Sequence, residues 1–65
     1  MKIEVNGEAR ELAAETLADA LAELGWADAR VATALNGNFV PKGARADTAL
    51  NPGDRLEVLA PMQGG

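Results

Sequence analysis

The chain has 65 residues, a formal net charge of −4 and no histidine, cysteine or tyrosine. That length suits one small domain, and neither disulfides nor a His/Cys metal cluster can staple it. The commonest general base, the strongest side-chain nucleophile and the main metal ligands are missing, which argues against an enzyme. Six scattered basic residues argue against nucleic acid, whose binding needs lysines and arginines to displace phosphate counterions.

Stability must therefore come from a compact core, for which 48% hydrophobic residues are sufficient. Residues 2–5 alternate, with Ile3 and Val5 on one face and Lys2 and Glu4 on the other, the pattern of a half-buried strand. Asn6-Gly7 follows, a pair that accepts the positive φ angles of a type I′ hairpin turn. Glu8 to about Leu12 is the returning strand.

Thr16 is the expected N-cap of a helix, with Asp19 placing negative charge in the first turn. Leu17, Leu21 and Leu24 then fall at i, i+4, i+7 and form one apolar stripe with Ala20 beside it. Gly25 stands where a left-handed C′ residue ends a helix, and Trp26 just beyond it reads as a lid on the core. Val31 to Leu35 is the next strand, with Val31, Thr33 and Leu35 sharing a face. Asn36-Gly37 repeats the turn signal, Asn38 to Val40 returns, and Pro41 marks its end.

Residues 42–50 read as irregular, with room for one helical turn before Leu50. Asn51-Pro52-Gly53-Asp54 is a turn, because Pro sets φ at the second position and Gly supplies φ > 0 at the third. Arg55 to Ala60 is the last strand, with Leu56 and Val58 inward and Arg55, Glu57 and Leu59 outward. Asp54 and Asp47 suit turns better than acid/base chemistry. The expected domain is residues 1–60, an α+β unit with a mixed sheet of about five strands and one main helix on one face. Residues 61–65, Pro61-Met62-Gln63-Gly64-Gly65, are expected to form an exposed, mobile tail.

No run approaches the roughly 18 apolar residues of a membrane span. Met1-Lys2-Ile3-Glu4 alternates, unlike a signal peptide, so a cytoplasmic location without membrane attachment is the expectation. The acidic balance suits solubility, and also docking on a basic protein surface.

The diglycine is the feature with chemical consequences. At average glycine usage two glycines would end a chain by chance roughly once in 200, and an expression scar or a truncated linker would also place them there. The functional reading is that glycines, lacking Cβ, allow a main-chain carboxylate to enter a narrow activating channel. Four or five extended residues reach roughly 13–17 Å while the domain docks outside. A free carboxylate is a poor acyl electrophile until joined to a good leaving group such as AMP.

Several segments in this order resemble the ThiS family of thiamine-biosynthesis sulfur carriers, which have a ubiquitin-like β-grasp fold. They are Met1-Lys2-Ile3-Glu4-Val5-Asn6-Gly7, the leucine-striped helix, Leu35-Asn36-Gly37, Gly53-Asp54-Arg55-Leu56-Glu57-Val58-Leu59 and Met62-Gln63-Gly64-Gly65. The likeness is loose over residues 26–30 and 42–50, and Asn51-Pro52 departs from a turn that is often more acidic in such carriers. The resemblance implies a non-enzymatic carrier and recycled cosubstrate that binds no cofactor. A ubiquitin-activating-like adenylating enzyme would consume ATP to form an acyl-adenylate on Gly65. A cysteine desulfurase or other persulfide donor would convert it to a thiocarboxylate, and thiazole synthase would take the sulfur. Gly64, Gln63 and Met62 would be read as the tail by the partners. Leu59, Phe39 and Met62 form a candidate apolar docking patch, although Phe39 also suits the core. The alternatives are a related diglycine carrier of the molybdopterin synthase small-subunit type, a ubiquitin-like protein modifier, or a β-grasp interaction domain whose diglycine has no role.

Overall fold

The computed structural model describes residues 1–27 and 30–60. The expected tail, with Met62, Gln63, Gly64 and Gly65, lies outside the described residues, as does its expected mobility.

β1 (Lys2–Val5) and β2 (Glu8–Glu11) form an antiparallel hairpin with Val5 opposite Glu8 and Lys2 opposite Glu11. At its turn Asn6 and Gly7 have φ of 49° and 85°, the two positive values of a type I′ loop. Leu12 lies one residue past β2 and is buried.

α1 (Leu17–Glu23) begins where the Thr16 hydroxyl accepts a hydrogen bond from the Asp19 amide at 3.2 Å. Its termination is a complete Schellman motif. The Gly25 amide donates to the Ala22 carbonyl at 3.1 Å and the Trp26 amide to that of Leu21 at 2.7 Å, with Gly25 at φ 92°. Trp26 is then packed, half-buried, against the core, as is Leu24. Leu17, Ala20 and Leu21 are the buried stripe of the helix.

β3 (Ala32–Leu35) and β4 (Asn38–Val40) form the second hairpin around Asn36 and Gly37, at φ 51° and 86°. β3 starts one residue later than the alternation suggests, and Val31 packs against the core from outside the strand. Residues 42–50 are more ordered than expected: Lys42–Asp47 is a 3₁₀ helix that packs on α1. The Asn51–Asp54 turn closes with the Asp54 amide donating to the Asn51 carbonyl at 3.1 Å, and Gly53 takes φ 88°. β5 (Arg55–Leu59) follows and ends one residue short of Ala60.

The sheet order is β2-β1-β5-β3-β4, so the last strand is the central one. β5 runs parallel to β1 and antiparallel to β3. Ile3, Val5, Leu56 and Val58 from the sheet meet Leu17, Ala20 and Leu21 from α1 in one apolar cluster that also takes in Leu12, Val40 and Leu50. This is the mixed five-stranded sheet with one main helix that the resemblance implies, an α+β unit of the ubiquitin-like β-grasp kind. Among the described residues no helix is long and apolar enough to cross a membrane.

Candidate functional site

β5 is the strand that precedes residues 61–65 in the sequence, and its register decides which side chains share its outer face. Its residues alternate: Leu56 and Val58 are buried, whereas Arg55, Glu57 and Leu59 are exposed. Leu59 pairs with Ala32 of β3, Glu57 with Ala34, and Ala34 in turn with Phe39 of β4. Side chains of one face are neighbours across such pairs, so Leu59, Ala32, Ala34 and Phe39 make a continuous apolar surface with Glu57 set into it.

Phe39 is 70% exposed and Leu59 68%, the exposed large hydrophobic residues among those described. The core position that also suited Phe39 is thereby excluded. Its neighbour Val40 is the residue turned inward, opposite Thr33. A shallow concavity of about 120 Å³ lies over this patch, lined by Ala32, Thr33, Ala34, Phe39, Glu57 and Leu59. The hollow has the size for a partner's side chain. Among the described residues no cluster of His, Cys, Asp or Glu could hold a metal ion.

Two asparagines bracket β5. The Asn6 carboxamide forms a two-point clamp on Val58, its Oδ1 accepting from the amide at 2.8 Å and its Nδ2 donating to the carbonyl at 3.1 Å. At the other end of the strand the Asn36 Oδ1 accepts from the Arg55 amide at 2.9 Å, and the Asn36 amide donates to the Arg55 carbonyl at 2.8 Å. Each Asn-Gly pair therefore supplies both a turn and a side-chain partner for the central strand. Buried peptide groups need such partners, and the clamps extend β5's pairing beyond its ladders with β1 and β3.

A buried polar pair supports β3 from the inner side. Thr33, 1% exposed, donates through its hydroxyl to the Val40 carbonyl at 2.8 Å and accepts from Arg45 Nε at 3.0 Å. Arg45, itself only 8% exposed, also donates through Nη2 to the Val31 carbonyl. This arginine ties the 3₁₀ helix to the strand beneath the patch. Sequence reasoning missed it, because arginine is normally exposed and its neighbours carry no periodic signal.

Asp54 is a turn residue, accepting from the Asn51 amide at 2.8 Å and from Asn36 Nδ2 at 3.1 Å. Asp47 ends the 3₁₀ helix. Of the candidate site residues, Phe39 and Leu59 are thus brought together on one exposed face, while Met62, Gln63, Gly64 and Gly65 lie beyond the described residues.

Comparisons with known proteins bear on the whole chain. The ThiS family model matches residues 3–65. A thiazole synthase of Paramagnetospirillum magneticum is 42% identical over 66 residues, an overlap that takes in 100% of this chain and 20% of that protein. The chain therefore spans about a fifth of the length of this curated relative. The crystal structure of a thiamine biosynthesis protein (ThiS) from Geobacter metallireducens superposes with a TM-score of 0.83 at 33% identity, covering 100% of both chains. An NMR solution structure of a thiamine biosynthesis protein from the same organism gives 0.78 at 32% identity, covering 100% of this chain and 88% of the other. With the family match, the shared fold and the motifs all in agreement, the chain belongs to the ThiS family, the small sulfur carrier proteins of thiamine biosynthesis.

Proposed function

We propose that this chain carries sulfur on the main-chain carboxylate of Gly65. The observation that carries the reading is the family match, which extends through residue 65 and so takes in Met62-Gln63-Gly64-Gly65. In the first step an adenylating enzyme related to ubiquitin activators joins the carboxylate to AMP from ATP, releasing pyrophosphate. The carboxylate's charge is masked and its oxygen becomes a good leaving group. Persulfide sulfur, from a cysteine desulfurase or another donor, then attacks the carbonyl carbon and displaces AMP. Reductive cleavage of the S–S bond by a second thiol leaves a thiocarboxylate. The carrier itself binds no cofactor and performs no catalysis, and ATP is consumed by its partner.

Thiazole synthase is the proposed acceptor of the sulfur. Support comes from the Paramagnetospirillum magneticum relative, a much longer protein with that name in which a segment of about this chain's length is the similar part. The docking surface we assign is the outer face of β3, β4 and β5, with Leu59 and Phe39 as apolar anchors. Gly64, Gln63 and Met62 are the residues a partner channel would read, since a chain without bulky side chains next to Gly65 can lie close to a nucleotide.

The test compares the protein with two variants, one lacking Gly65 and one with a single residue appended after it, each given ATP and the adenylating enzyme. Pyrophosphate release should occur with the unaltered chain and be lost with both variants, whose melting curves should be unchanged. Normal release from the extended protein would rule out Gly65 as the reacting residue.

A further inference from the structure

The Asn6-Gly7 and Asn36-Gly37 turns look equivalent, with positive φ at all four residues. Asn-Gly is also the pair in which a main-chain nitrogen most readily attacks the preceding side-chain amide, because glycine has no Cβ to obstruct the approach. At both glycines the space where a Cβ would stand is open. The grip on the asparagine side chain differs between them. Asn6, exposed like Asn36, is clamped at both polar atoms by the main chain of Val58 in the central strand, through partly buried hydrogen bonds. Asn36 is held by one main-chain amide, that of Arg55, and by the exposed carboxylate of Asp54.

We propose that Asn36 is a site of spontaneous deamidation in the folded protein, and that β5 protects Asn6 from the same reaction. The Gly37 main-chain nitrogen loses its proton to solvent and bonds to Asn36 Cγ. The Cγ–Nδ2 bond breaks, and Nδ2 leaves as ammonia after taking up a proton. Water then opens the five-membered imide. Cleavage between Cγ and the Gly37 nitrogen gives aspartate, and cleavage of the original peptide bond gives isoaspartate, in which the chain runs through the side-chain carbon. One water is consumed, one ammonia is released and no electrons are transferred. The reaction proceeds from locally opened states, in which the side-chain hydrogen bonds are broken, and bonds exposed to solvent open more easily than partly buried ones.

The product has a physical consequence. Nδ2 of Asn36 donates to Asp54 Oδ1 at 3.1 Å, so a carboxylate at position 36 replaces a donor with a like charge. Asp54 also organises the Asn51 turn that opens β5, and repulsion there loosens the entry to the central strand.

Folded protein and a urea-unfolded sample are incubated in parallel at mildly alkaline pH, digested, and read by peptide mass spectrometry for the exchange of NH for O. In the folded sample Asn36 should convert at least about five-fold faster than Asn6, the ratio set by a modest difference in opening free energy. The ratio should fall close to unity on unfolding. Asn6 converting as fast as Asn36 in the folded sample, or Asn36 staying intact while both convert in urea, would overturn the proposal. Asn36→Gln, which demands a larger ring, should remove the signal from that peptide and leave the Asn6 rate unchanged. A persistent signal would place the chemistry at Asn38 and overturn the assignment. Asn36→Asp should melt about 4–8 °C lower, and an unchanged melting temperature would contradict the repulsion at Asp54.

Discussion

The two faces of β5 are built from alternate residues of one short strand, yet different physics governs each. Inward, Leu56 and Val58 are 1% and 5% exposed and pack in the apolar cluster under α1. Outward, Arg55 and Glu57 behave as solvated residues do, but Leu59 does not, and Phe39 two strands away joins it. On the inner face, hydrophobicity is explained by folding. On the outer face, two large apolar side chains lie in solvent where stability gives them no reason to be, and that mismatch is why we propose it as the surface a partner covers.

The contrast can be broken most severely from the inside. Leu56→Ala removes a fully buried side chain and leaves a cavity, a change that costs about 2–5 kcal/mol in well-packed cores. A domain this small rarely has more than about 3–5 kcal/mol from its core, so urea denaturation should show the variant largely or wholly unfolded. A cost below about 1 kcal/mol would mean that the site collapses around the loss. A smaller effect belongs to the clamp that holds β5 where the faces diverge. Asn6→Asp keeps a residue tolerant of positive φ but sets an oxygen against the Val58 carbonyl in place of Nδ2. The expected loss is about 1–3 kcal/mol, seen in the denaturation midpoint with an unchanged m-value.

The smallest stability effect should come from the outer face, with the largest effect on binding. Leu59→Glu should shift stability by no more than about 0.5 kcal/mol while weakening capture by the adenylating enzyme at least ten-fold, about 1.4 kcal/mol. Titration by calorimetry separates the two quantities. A variant that binds normally would remove Leu59 from the docking surface, and one that unfolds would place it in the core.

Much of this architecture is legible in the sequence because its signals are local. Thr16 and Gly25 delimit α1, the two Asn-Gly pairs locate both hairpins, and strict alternation in Arg55–Leu59 assigns faces without reference to any other strand. What escapes is set by tertiary contact. Asn38-Phe39-Val40 is too short for alternation to choose a face, and pairing with Ala34 and Thr33 makes the choice. Lys42–Asp47 forms a 3₁₀ helix whose short run has no apolar period to detect, and the burial of Arg45 depends on a threonine twelve positions away. The second use of Asn6 and Asn36, as partners of β5, likewise needs the sheet order, which no local motif contains. The proposed carrier chemistry is the reverse case: it rests on the Met62-Gln63-Gly64-Gly65 motif and the family match, while the fold contributes the strand that precedes the motif in sequence.

A mass measurement decides whether sulfur rides on Gly65, as proposed. Adenylation alone does not separate a sulfur carrier from a protein modifier, since both would begin with an acyl-adenylate. The protein is therefore incubated with ATP, the adenylating enzyme and a persulfide donor system with its reductant, then analysed intact and by C-terminal peptide. The predicted result is a gain equal to one oxygen replaced by sulfur, confined to Gly65, on a product that reacts with a thiol-directed alkylating reagent. With no cysteine in the chain, such labelling has no competing side chain. Conjugates to lysines of other proteins, without that mass gain, would contradict the sulfur-carrier reading and favour a modifier.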